Sequence, residues 1–142
     1  PIKSSAASDV YKRQVYDLTY NDLNPRFLFC CNLLRTEPEM NYHCHDFIEF
    51  VLILKGKTTF RIDEKLYDVE EGSVILLNPG TYHQSLPAAG TSAREFYLAF
   101  SNVEFAECTR GHFPLFKNYQ LLATLPDSYK EPLFRLFKLM EQ

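Results

Sequence analysis

Within the stretch His43-Cys44-His45-Asp46-Phe47-Ile48-Glu49, two imidazoles and a carboxylate recur at alternate positions. Side chains of an extended strand repeat every two residues, so His43, His45, Phe47 and Glu49 are expected to project to one face. A third imidazole, His83, follows the Asn78-Pro79-Gly80 turn and is expected to be delivered to the same end of the fold. Three imidazoles and a carboxylate suit a divalent transition metal, with donors at about 2.0–2.2 Å from the ion. The same four side chains could instead line a small-molecule pocket or hydrogen-bond within it. His43, His45, Glu49 and His83 are therefore the candidate ligand-binding residues and the candidate metal ligands. No catalytic residue is assigned. Ser73 and Ser85 have no spacing that pairs them with a base, and 5 Gly leave little material for a phosphate-cradling loop. Tyr42, Phe47, Phe60, Tyr82 and Tyr97 could stack on a sugar or aromatic ligand, but alternating aromatics are ordinarily core.

The elements that must position these residues read as short strands. Arg26–Leu34 is predicted to be one strand, closed by the Thr36-Glu37-Pro38-Glu39 turn. Asn41–Leu54 is predicted to be a second, ending at Lys55-Gly56-Lys57. Thr58–Ile62 and Lys65–Val69 are predicted to face each other across Asp63-Glu64. Ser73–Leu77 and Glu95–Phe100 complete the set. Strands of five to eight residues at near-regular spacing indicate an all-β sandwich or barrel. The end of the chain changes period: Leu133, Phe134, Leu136, Phe137 and Met140 share one helical face, with Ser128 and Glu131 as a candidate capping box. That face is expected to lie on the outer barrel wall and to offer its remaining apolar edge to a second copy.

The chain has 142 residues, enough for one domain with a real core. An apolar fraction of 46% with 12 Phe and 9 Tyr excludes a disordered composition. The net charge is −3 and the basic residues are scattered, so this stretch is not expected to grip a phosphate backbone itself. The longest apolar run, Phe50–Leu54, is far short of the roughly 20 residues that span a bilayer, so no membrane partner is expected. The four cysteines, at 30, 31, 44 and 108, form no CxxC pair and are expected to be small reduced thiols of a cytoplasmic protein. Residues 1–14 have no apolar period and are expected to be a disordered or non-native segment, Pro1 pointing to a longer reading frame.

His43-x-His45-x3-Glu49-x6-Gly56 followed by Gly72-x5-Asn78-Pro79-Gly80-x2-His83 resembles the two motifs of the cupin superfamily. Asn78 and Pro87 depart from the second motif, which usually has Pro and Asn at these positions. The resemblance implies an all-β, cupin-type double-stranded β-helix, or jelly-roll barrel, over 15–126. It is followed by a C-terminal α-helix that begins a dimerisation or linker segment, 127–142. The line His43–Gly56, the Phe60–Tyr67 hairpin, the Gly72–Leu77 strand and the Pro79-Gly80-Thr81-Tyr82-His83 turn narrow the resemblance further. They are similar to the N-terminal sensor domains of AraC/XylS-type regulators. What this implies is an effector-sensing and dimerisation domain, not an enzyme, with a small-molecule ligand, a sugar among the options, in the barrel. A homodimer is implied too, with DNA contacted only through helix-turn-helix units that this sequence lacks. The alternative is a small stand-alone metal-dependent cupin enzyme of dioxygenase or sugar-isomerase type.

Overall fold

The computed structural model describes residues 25–105, 108–113 and 122–140. The segment 1–14, expected to be disordered or non-native, lies outside them. Among the described residues seven strands and a helix follow in order: β1 Arg26–Arg35, β2 Ile48–Ile62, β3 Lys65–Glu70, β4 Ser73–Leu77, β5 His83–Ser85, β6 Ala93–Ser101, β7 Leu122–Thr124 and α1 Asp127–Met140. All pairings are antiparallel. One sheet has the order β1-β6-β2-β4-β7, and β3 and β5 pair with the far half of β2. Among the described residues the result is a cupin-type jelly-roll barrel followed by α1.

The expected second strand, Asn41–Leu54, is corrected at both ends. It begins at Ile48, and Asn41–Phe47 contributes only an isolated bridge between His43 and His83. Lys55-Gly56-Lys57 does not end it, because β2 runs on to Ile62. Up to Gly56 it pairs with β4 and β6, and from Lys57 with β3 and β5. The corner falls where the register against β6 shifts between Ile53 and Lys55, and Gly56 takes φ 81° there. Glycine reaches that left-handed region without the Cβ penalty other residues carry. Strands β5 and β7 were not expected; at three residues each they are too short to show a period.

Alternation along the strands divides two apolar groups. Val51, Ile53, Phe60, Ile62, Val69, Ile75, Leu77, Ala93 and Tyr97 fill the barrel interior. Leu52 and Phe96 point outward and are covered by Phe137 of α1, with Leu133 and Phe134 beside it. Phe96 and Phe137 stack with centroids 4.2 Å apart at 17°. This second layer explains why Phe50–Leu54 is apolar at every position, since both faces of that part of β2 are covered. The capping box is not formed. The helix already includes Ser128, Asp127 pairs with Lys130 at 2.8 Å, and Glu131 bonds forward to Arg135 at 3.1 Å. Pro132 sits in the second turn and so withholds the N–H that the Ser128 carbonyl would accept. All four cysteines are free, with Cys31 exposed on the outermost strand. Among the described residues no helix is long and apolar enough to cross a membrane.

The β2–β3 hairpin turns on Asp63 and Glu64, at φ 42° and 69°. Two residues with positive φ match the right-handed twist of the flanking strands, but non-glycine side chains are strained there. Glu64→Gly is expected to stabilise the protein by about 0.5–1 kcal/mol, since the exposed Arg61–Glu64 pair at 2.8 Å returns little when lost. Thermal unfolding checks this: the midpoint rises by a few degrees, and a fall would show that the turn is unstrained.

Candidate metal centre

Three segments supply the site. Glu49 enters as the second residue of β2, His83 opens β5, and His43 lies across from His83 in the bridge. That bridge is tied twice, His83 N–H donating to the His43 carbonyl at 2.8 Å and His43 N–H to the His83 carbonyl at 3.1 Å. Gly80 N–H donates to the His45 carbonyl at 2.8 Å, so the Asn78–Gly80 turn holds the same segment. The expected single strand face for His43, His45 and Glu49 is absent, because His45 is outside any strand. The three imidazoles nonetheless converge, with Glu49 against His45 and His83. The bridge from His43 to β5 does what strand parity was expected to do.

Ring centroids lie 4.5 Å apart for His43 and His83, 4.8 Å for His43 and His45, and 5.2 Å for His45 and His83. One ligand atom from each imidazole falls within 4.8 Å of the others. His45 is stacked on Phe47 at 4.5 Å and 9°, which fixes its ring plane. In both His43 and His83, Nδ1 faces the carbonyl oxygen two residues upstream, Asn41 at 2.9 Å and Thr81 at 3.0 Å. A carbonyl only accepts, so Nδ1 carries a proton in both rings, and Nε2 is the atom left to meet a ligand. Glu49 places Oε1 3.2 Å from His83 Nε2 and Oε2 3.6 Å from His45 Nε2.

Glu49 and His83 are only 4% and 2% exposed, and Glu49 Oε1 and His83 Nε2 have no hydrogen-bond partner. The two atoms attract across 3.2 Å without the alignment of a hydrogen bond. Buried polar atoms are rarely left so, because desolvation without a partner is costly. A positive charge between them, a proton on His83 Nε2 or a metal ion, satisfies both atoms together. The two oxygens of Glu49 reach different imidazoles, Oε1 that of His83 and Oε2 that of His45, so the carboxylate spans the pair. His43, His45 and His83 would hold a divalent transition metal, with Glu49 against two of them, and the ion would act there as a Lewis acid toward a bound oxygen ligand.

Electrostatics separate two of the imidazoles. Burial opposes the charged form of His83, but the Glu49 carboxylate and the Thr81 carbonyl outweigh it and raise its pKa above the ordinary value. His45 goes the other way: burial lowers it, the His83 and His43 charges add to that, and Glu49 only partly offsets them. Beside His43 an open groove of about 430 Å³ is lined by Arg35, Pro38, Glu39, Met40 and Asn41.

A second buried polar group was missed by the sequence reading. Glu95, at 0% exposure, accepts hydrogen bonds from Ser85 Oγ at 2.7 Å and the Tyr97 hydroxyl at 2.6 Å. Burial and the Glu95 charge push the Tyr97 phenol far above its usual range, so it stays a donor. The available signal was an acidic residue on the interior parity of an otherwise apolar strand, with Ala93 and Tyr97 on either side.

Residues 29–142 match the family described as AraC-like ligand binding domain. A curated relative is the uncharacterized HTH-type transcriptional regulator YdeC of Bacillus subtilis, 43% identical over 59 residues. That match takes in 42% of this chain and 20% of the relative, so the chain corresponds to only a part of that protein. Among solved structures, the chain is similar to a cupin protein from Bacteroides fragilis, at 16% identity, TM-score 0.44, and coverage of 64% of this chain and 74% of that one. An RmlC-like cupin family protein with a double-stranded beta-helix fold from Methanocaldococcus jannaschii gives 14% identity and TM-score 0.47, covering 52% and 70%. The polyketide cyclase RemF from Streptomyces resistomycificus gives 16% identity and TM-score 0.48, covering 58% and 64%.

Proposed function

Since the chain belongs to the AraC-like ligand binding domain family, we propose that it is the effector-sensing and dimerisation module of a DNA-binding transcription regulator and turns over no substrate. The family match over 29–142 is the observation that carries this reading. The regulator relative supports it, with DNA contacts belonging to helix-turn-helix units outside this sequence and the whole acting in the cytoplasm. His43, His45, Glu49 and His83 bind the effector, through a divalent metal that takes the orphaned atoms of Glu49 and His83 as ligands. The effector is a small polar molecule, a sugar by preference, entering by the groove beside His43.

A panel of pentoses and hexoses tests the reading by thermal shift, with the sugar followed by NMR. A saturable rise in midpoint for one of them, lost in His43→Ala, with the sugar unchanged, is the expected result. Conversion of the sugar would favour the metal-dependent cupin enzyme instead, the reading to which the same orphaned pair lends support. No shift with any sugar removes the sugar assignment.

Dimerisation is assigned to α1. Phe137 is buried on the barrel, while Leu136 and Leu139 remain 56% and 65% exposed and Met140 is also exposed. A two-fold contact requires a self-complementary patch, and the exposed apolar edge of α1 supports placing it there. Sedimentation at micromolar concentration is expected to show a dimer that Leu136→Asp plus Met140→Asp converts to monomer. A variant that stays dimeric places the interface elsewhere.

A further inference from the structure

A closed circuit of hydrogen bonds runs from Glu95 back to itself and touches none of the four candidate ligands. Glu95 Oε1 accepts from Ser85 Oγ at 2.7 Å, and Oε2 from the Tyr97 hydroxyl at 2.6 Å and Arg35 Nε at 3.3 Å. Arg35 Nη2 donates to Glu39 Oε1 at 2.8 Å, and Glu39 Oε2 accepts the Ser85 N–H at 2.8 Å. The Glu39 backbone binds the same strand twice more, its N–H to the Ser85 carbonyl at 2.9 Å and its carbonyl to Gln84 Nε2 at 2.7 Å. The circuit thus joins β6, β1, the 36–42 connection and β5. Two of these segments deliver imidazoles: His83 lies two residues before Ser85, and His43 four residues after Glu39.

A fully buried carboxylate is costly even when paired, and an apolar side chain of similar size would fill the same space without that penalty. What the charge adds is direction: it fixes the Arg35 fork, and the fork fixes Glu39 against β5. We propose that Glu95 is a positioning residue for the imidazole cluster, setting through Arg35 and Glu39 how the 36–42 connection lies on β5, and so the facing of His43 and His83. The inference rests on reading those four residues as one site. Groups that orient ligands from behind typically change metal affinity by ten- to a hundredfold.

Glu95→Gln keeps the size and one acceptor oxygen but removes the charge that holds Arg35. Zinc affinity by calorimetry is expected to fall about tenfold or more with unfolding still cooperative, and Glu95→Asp to recover part of it. Ser73→Ala is the control, a buried hydroxyl that accepts the Glu70 N–H at 3.0 Å and lies outside the circuit. It is expected to lower stability without moving zinc affinity. The second measurement uses metal-free protein and follows the ring nitrogens of His43 and His83 by NMR, expected to shift in Glu95→Gln and to hold in Ser73→Ala. Wild-type protein that binds no zinc defeats the shared metal site and leaves the NMR comparison to decide. Unchanged ring resonances in that case, or unchanged zinc affinity in Glu95→Gln where the wild type binds, overturn the role given to Glu95.

Discussion

Wild-type protein is expected to take up one zinc or cobalt ion per chain, and replacing His83 by alanine to abolish measurable binding. His83 is the most deeply buried of the three imidazoles and faces the Glu49 carboxylate at 3.2 Å. Its removal deletes one donor and leaves Glu49 Oε1 in a cavity with no counter-charge. A loss of at least a hundredfold in affinity follows from losing a ligand outright rather than one of its supports. The wild type should also gain thermal stability with metal, about 2.7 kcal/mol at a hundred times the dissociation constant. Glu49→Gln provides an independent check, since it keeps the side-chain volume and weakens the site without opening a hole. Cobalt absorption then reports the geometry of the bound ion directly. Equal affinity in wild type and His83→Ala would place the ion elsewhere on the surface, and absence of binding in the wild type would leave the pocket to the effector alone.

The largest stability effect is expected at Gly56. Its φ of 81° alone makes alanine strained there, by about 1–2 kcal/mol. A Cβ at this position would also collide with the backbone carbonyl oxygen of Ser92, and backbone cannot rotate aside as a side-chain tip can. Gly56 and Ala93 are ladder partners at the corner where β2 leaves one pair of neighbours for another, so relief requires opening the barrel seam. Gly56→Ala is therefore expected to cost more than 3 kcal/mol, enough to unfold a marginal domain. Gly80→Ala is the matched comparison. Gly80 has the same φ of 81° with nothing within 4 Å of an added Cβ, so it should lose only the conformational part, about 1–2 kcal/mol. Denaturant midpoints of the two variants separate the effects: equal losses would show that the close approach to Ser92 contributes nothing.

These two residues mark the division between what sequence and tertiary structure decide in this protein. Period and turn chemistry are local, so β1, β4, the β2–β3 hairpin and the apolar helix face were legible from neighbouring residues alone. The family was legible too, because His43, His45, Glu49, Gly56 and His83 keep a spacing that the barrel demands. Other features depend on partners distant in the chain. Nothing local says that Lys55-Gly56-Lys57 is a corner rather than an end, since the corner exists only because β3, β5 and β6 are there to pair with. Nor does strand parity explain how His43 and His45 reach Glu49. His43 joins the group because two backbone hydrogen bonds lock it onto His83, 40 positions away, and His83 in turn faces Glu49. Glu95 looked like an ordinary charged strand end until folding closed Arg35, Glu39, Ser85 and Tyr97 around it. Long-range pairing draws its energy from groups that a linear reading cannot see together, and for that reason the sequence determined which residues could act while the tertiary structure decided which of them meet.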